Sequence, residues 1–228
     1  MNIVAIVGTN AGFSYNRKLL WAMKKMFQTS AQIEIVELLN LSLFCEDEEI
    51  PVEISALTEK ITAADALIIS TPEYDHAITA ALKSLLEWLS FDPSHPLLQK
   101  PCMIVGASLG NLGTVFAQEN LRQILNAPGL EAHVLSGHQF LLGRADQCFT
   151  TSGALKDEHT IAWLTQCFEA FLAFVHLHDA VSTDNTSPLQ LDDKTKWWIE
   201  NTATNAGIQD DAQTGSTEDL DDGTSLFA

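Results

Sequence analysis

Ala66-Leu67-Ile68-Ile69-Ser70-Thr71-Pro72-Glu73-Tyr74-Asp75-His76 runs from an unbroken apolar stretch into a loop of turn-forming and polar residues. A short apolar run with no polar alternation, closed by turn chemistry, reads as a strand buried on both faces. That environment exists in a parallel sheet covered by helices. The residues that follow agree. Residues 77–89 carry helical periodicity, and Cys102-Met103-Ile104-Val105-Gly106 is a second apolar run ending in glycine. Strand, helix and parallel strand make one βαβ unit.

Working outward, the same unit recurs. Ile3–Val7 is an apolar run ending in Gly8. Leu19, Leu20, Met23, Met26 and Phe27 then fall on one helical face. Residues 33–38 read as a strand, and residues 51–63 as a helix with Ile54, Leu57 and Ile61 inward. Residues 115–125 read as a helix, His133-Val134-Leu135 as the start of a fifth strand, and residues 157–178 as a long apolar helix. The pattern predicts an α/β, flavodoxin-like, doubly wound five-stranded parallel sheet with helices on both faces. It occupies residues 1–178 and is followed by a mostly irregular acidic tail over residues 179–228. In such a sheet ligands sit at the carboxyl ends of the strands, beside the switch point.

Composition sets outer limits. Of 228 residues, 46% are apolar and 18% charged, enough for an ordinary core. No apolar run approaches the ~18 residues that span a bilayer. The strand-like start at Met1-Asn2-Ile3-Val4 has no basic segment before it, so a cytoplasmic protein is expected. The formal charge of −18 argues against nucleic acid as a partner, because that affinity comes from Lys and Arg on phosphates. Cys45, Cys102, Cys148 and Cys167 are widely spaced, which suits reduced structural thiols and no metal site.

Three loops follow strands one, three and four. Gly8-Thr9-Asn10-Ala11-Gly12-Phe13-Ser14-Tyr15-Asn16 opens a helix, a setting that suits a phosphate. An N-cap role for Ser14 explains the same residues equally well. Thr71-Pro72-Glu73-Tyr74-Asp75-His76 carries an aromatic ring and carboxylates that can border a flat heterocycle, and an ordinary turn has a similar composition. Gly106, Gly110 and Gly113 in the third loop let backbone approach a ligand closely, or simply make a flexible connection.

Together the loops resemble the NADPH-dependent FMN reductase family. In the first loop Gly8, Thr9, Ser14 and Asn16 follow the family pattern, and Ala11 stands where the family has arginine. Thr71-Pro72-Glu73-Tyr74 is identical to the pattern, with Asp75 in place of the usual Asn. Ala81-Leu82-Lys83-Ser84, Glu87-Trp88, Lys100-Pro101, Ser108-x-Gly110-x-x-Gly113, Gln118 and Leu121-Arg122 continue it in order. The resemblance implies an FMN-dependent oxidoreductase with NADPH or NADH as donor, reducing flavin, a quinone or another small electron acceptor. Thr9, Ser14 and Asn16 would hold the FMN phosphate. Pro72, Glu73, Tyr74 and Asp75 would border the isoalloxazine, with Ser108, Gly110 and Gly113 along its other edge. The flavin carries the hydride, so no catalytic acid or base is assigned. A homodimer is implied by the same analogy.

The tail, residues 179–228, holds 11 acidic and 2 basic residues and few apolar ones, so a loose arm is expected. Lys196-Trp197-Trp198-Ile199 interrupts it as a docking anchor. Asp211-Ala212-Gln213-Thr214-Gly215-Ser216-Thr217 resembles a flavinylation motif in which a flavin transferase links FMN to the last threonine, here Thr217. A solvated Asp/Thr/Gly linker has the same composition, so both readings stand. The first makes the chain an electron-carrier or redox-partner subunit.

Overall fold

The computed structural model describes residues 1–184. Trp197, Trp198 and Thr217 lie outside the described residues. Strand β1 (Asn2–Val7) leads to α1 (Tyr15–Met26), β2 (Gln32–Val36), α2 (Val52–Ala63) and β3 (Ala66–Ser70). Then come α3 (Ala80–Phe91), β4 (Pro101–Ala107), α4 (Val115–Leu125), β5 (His133–Val134), β6 (Phe140–Leu142), α5 (Ala145–Cys148) and α6 (Glu158–Asp184).

All strand pairs are parallel, in the order β2-β1-β3-β4-β5, with β6 also on β4. This is the flavodoxin-like arrangement that the βαβ spacing predicts. One detail differs. The fifth strand position is shared by two short pieces, β5 beside Pro101–Cys102 and β6 beside Val105–Ala107. The interruption falls at Ser136-Gly137-His138, where Gly137 takes φ +79° and leaves the extended region.

Side chains alternate along each strand and divide the core into two layers. Ile3, Ala5, Val7, Ile68, Met103 and Val105 pack with Leu19, Leu20 and Met23 of α1 and with Leu164, Phe168, Phe171 and Val175 of α6. Val4, Ile6, Leu67, Ile69, Cys102 and Ile104 pack with Ile54, Ile61, Leu82, Trp88 and Leu121 on the opposite face. Within α6, Glu158–Ala180 is long and apolar enough, by length and composition, to cross a membrane (mean hydropathy 1.3). One stripe of this helix, Leu164, Phe168, Phe171 and Val175, packs on the sheet, while Trp163 and Leu177 remain exposed. The helix also runs on past His178 to Asp184.

Register decides where the loops meet. Val7 pairs with Ser70 and Ser70 with Val105, while the Thr71 N–H donates to Val105 O at 3.0 Å. The three loops therefore leave the sheet side by side.

Candidate active site

The three loops enclose one cleft of about 630 Å³ at the carboxyl edge of the sheet. Its walls include Ser14 and Asn16 from the first loop, Pro72, Glu73 and Tyr74 from the second, and Ser108, Gly110 and Gly113 from the third. The volume suits a cofactor-sized ligand, and the mixed wall is of the kind that binds one.

The first loop ends in a cap. The Ser14 hydroxyl accepts from the N–H groups of Asn16 (3.2 Å) and Arg17 (3.3 Å), so Ser14 is the N-cap and also lines the cleft. The two readings of this residue hold together. The positive end of the α1 dipole thus opens on the cleft. Arg17 braces the loop from behind. Its guanidinium donates to Gly12 O (2.9 Å) and Ala11 O (3.0 Å) and forms a fork on Glu37 at 2.7 and 2.8 Å. The hydrogen bond that Arg17 donates to Glu37 raises the Arg17 pKa above its ordinary value against the opposing effect of burial.

Asn16 is nearly fully buried and serves as a cross-brace. Its Nδ2 donates to Ala107 O at 2.9 Å. Its Oδ1 accepts from Ala107 N–H and from the Ser70 hydroxyl, both at 2.9 Å. One amide thereby ties α1 to β3 and β4. The phosphate role expected of Asn16 has one amide hydrogen left to work with. Thr9 is also buried. Its hydroxyl accepts from Ala11 N–H at 3.2 Å, and it stands outside the cleft wall.

The second loop is a tight hairpin. Asp75 and His76 take φ +51° and +63°, and Tyr74 and Ala77 bond each other on either side, the geometry of a two-residue primed turn. Asp75 therefore sits exposed at the tip and does not line the cleft, contrary to its expected place on the ring. Tyr74 is 52% exposed at the cleft wall. Glu73 has a second task. Its Oε2 accepts from Phe116 N–H (2.9 Å) and Ala117 N–H (3.1 Å). It thus caps α4, whose own N-cap residue Thr114 supplies no side-chain bond.

The third loop folds back on itself through Ser108, whose hydroxyl donates to Gly113 O at 2.6 Å. Two glycines are required for the approach. A Cβ on Gly106 would collide with Thr114 Oγ1 and stand 2.7 Å from Thr71 O. Gly113 has φ +66°, and its Cβ would meet Leu141 Cβ at 2.9 Å. At Gly110 the nearest side-chain atom would be 3.7 Å away, which leaves the backbone open to a ligand.

Sequence reasoning passed over the apolar rim. Phe13, Leu109, Leu112 and Phe116 line the cleft and remain 63, 64, 67 and 47% exposed. The available signal was the presence of large apolar residues inside loops otherwise built of Gly, Ser and Asn. Among the described residues, no Lys or Arg lines the cleft.

The model of the NADPH-dependent FMN reductase family matches residues 1–147. The chain belongs to this family. It is accordingly an oxidoreductase that uses FMN and NAD(P)H, as the loop motifs imply. It is 46% identical over 199 residues to the NADH:(hydroxy)cinnamate reductase subunit CrdA of Vibrio ruber, spanning 86% of this chain and 98% of that one. It is 40% identical over 182 residues to the NADH-dependent flavin reductase subunit 2 of Lactobacillus johnsonii, spanning 77% and 97%. Its fold is similar to that of FerB, a flavoenzyme NAD(P)H:acceptor oxidoreductase from Paracoccus denitrificans. The TM-score is 0.71 at 22% identity, covering 78% of this chain and 98% of that one.

Proposed function

We propose that FMN occupies the three-loop cleft, with Ser14 and the α1 N-terminus at its phosphate. Pro72, Glu73 and Tyr74 then border one side of the ring, and Ser108, Gly110 and Gly113 the other. The observation that carries this reading is the convergence of three separate loops on one cleft of cofactor size. Bound FMN supplies hydride acceptance and donation. The residues of the chain hold and orient it. Ser14 and the helix dipole offset phosphate charge where Ala11 offers none, and the apolar rim excludes water from the ring. The exposed rim residues Phe13, Leu109 and Leu112 favour a flat, largely apolar acceptor such as a quinone or a second flavin. They also give a second copy of the chain an apolar surface to cover, in keeping with a homodimer.

NADH is the proposed donor. Among the described residues no Lys or Arg lines the cleft to receive the additional phosphate of NADPH, and the two relatives described above carry NADH in their names. A cytoplasmic setting, where the nicotinamide pools lie, fits the free state of Cys45, Cys102, Cys148 and Cys167.

The test is the visible absorption spectrum of the purified protein after FMN is added and the excess removed. A retained flavin band that NADH bleaches faster than NADPH supports the reading. No retained flavin refutes the cofactor site, and faster bleaching by NADPH refutes the donor choice.

A second reading builds on the first. Both relatives are named as subunits, and Asp211–Thr217 resembles a flavinylation motif. In this reading the chain works in a heteromeric reductase and carries a second flavin on Thr217. Co-expression with a flavin transferase should add one FMN to the intact chain and none to Thr217→Ala. Equal labelling of both would refute it.

A further inference from the structure

A second groove, of about 800 Å³, runs along the outer side of α1. Its apolar lining includes Trp21, Met26, Leu155 and Ile161, and Trp21 is 55% exposed. Arg17, Lys18, Lys24 and Lys25 also line it, and among the described residues no acidic one does. This sign is opposite to that of the chain, whose formal charge is −18 with only 12 basic residues.

Other cations of the described residues are held by acceptors in the fold: Lys100 donates to Thr62 O and Ala64 O, Arg144 to Asn111 Oδ1 and Lys156 to Gln147 O. Arg17 is spent on Glu37, Lys60 on Glu34, Lys83 on Glu87 and Arg122 on Glu119. Among the described residues, Lys18, Lys24 and Lys25 pair with no carboxylate. Lys18 lies 4.6 Å from the Phe13 ring centroid and Lys24 5.3 Å from that of Trp21. A tryptophan flanked by unpaired lysines is the composition of a binding surface, since aromatic anchors and complementary charge set such contacts.

We infer that this groove docks an acidic segment with apolar side chains, contributed by a partner protein. The inference names a surface for the heteromeric partner of the second reading above and rests on that reading. From Lys18 to Met26 the helix offers about 12 Å of length. That accommodates a segment of several residues, with its carboxylates on Lys24 and Lys25 and an apolar side chain over Trp21 and Leu155. The groove does not share its lining with the cleft, so occupancy leaves the cleft open.

The test uses the full chain in its own cells, with Ser152→p-benzoylphenylalanine in the groove as a photo-crosslinker. The expected product joins this chain to an acidic, apolar-containing peptide of a different protein, identified by mass spectrometry. The Lys24→Glu/Lys25→Glu variant should lower its yield at least ~fivefold, because like charges now face each other. The purified variant should retain FMN and NADH turnover. A crosslink within the chain to its own acidic tail, a crosslink to a second copy of the chain, a crosslink to a basic segment, an undiminished yield in the variant, or no crosslink would each overturn the inference. A different protein that copurifies with the chain yet gives no crosslink at position 152 overturns the groove alone, whereas the absence of any copurifying protein counts against the heteromeric reading, so the two failures are distinguishable.

Discussion

Replacing Asn16 separates a brace from a ligand contact. The side chain makes three bonds in a buried site, to Ala107 O, Ala107 N–H and the Ser70 hydroxyl. Asn16→Ala removes them and leaves three buried polar groups without a partner. At about 1 kcal/mol per neutral bond, with an added cost for orphaned groups, the loss is about 3–4 kcal/mol. For a domain of this size that lowers the melting temperature by roughly 6–15 °C. The assay is urea and thermal unfolding of the FMN-free protein, so that ligand binding contributes nothing. Asn16→Asp refines the test. Its protonated acid can replace the donor to Ala107 O, whereas the carboxylate would face that carbonyl. Burial and the carbonyl raise the folded pKa of the new acid above its unfolded value. Its stabilising contribution is therefore complete below about pH 4 and is lost as pH rises through the folded pKa. Asn16→Asp should thus fall further behind the unsubstituted protein at pH 8 than at pH 4.5. If FMN-free Asn16→Ala melts within ~2 °C of the unsubstituted protein while FMN affinity collapses, the bracing argument is wrong and Asn16 is a ligand contact.

Glu73→Ala should cost about 1–2 kcal/mol in urea unfolding, the range for a helix cap, and Glu73→Gln should recover part of it; equal stability of all three would remove Glu73 as the cap of α4. Ala11→Arg should tighten FMN about tenfold in a fluorescence titration and leave riboflavin unchanged, because only FMN carries the phosphate; equal gains for both would misplace the phosphate. Burial opposes the charge on Asp92, yet bonds from Ser94 and Thr58 outweigh it and hold its carboxyl below the ordinary value. Its contribution is present above about pH 4 and lost as pH falls through the depressed folded pKa, so Asp92→Asn should flatten the acid limb of the stability profile. An unchanged acid limb in unfolding measurements from pH 2 to pH 6 would contradict that assignment.

Much of this protein is legible along the chain because the information is local. Continuous apolar runs at Ile3–Val7, Ala66–Ser70 and Cys102–Val105 need two covered faces, and only a parallel sheet with helices on both sides supplies them. The glycines and turn residues after each run mark the loops, and the placement of ligand sites at carboxyl strand ends points to the right edge. What the sequence could not show is how the side chains of those loops are spent. Asn16 and Thr9 have the chemistry of phosphate ligands, yet Asn16 bonds to residues 54 and 91 positions away, and Thr9 bonds within its own loop. Glu73 looks like a wall of the ring site and also caps a helix 43 residues further on. Asp75 shares the identical stretch but stands at the tip of a left-handed turn, which carries it out of the cleft. A hydrogen-bonding group can satisfy either a ligand or the backbone around it. Only the tertiary structure, by bringing distant donors and acceptors within 3 Å, decides which.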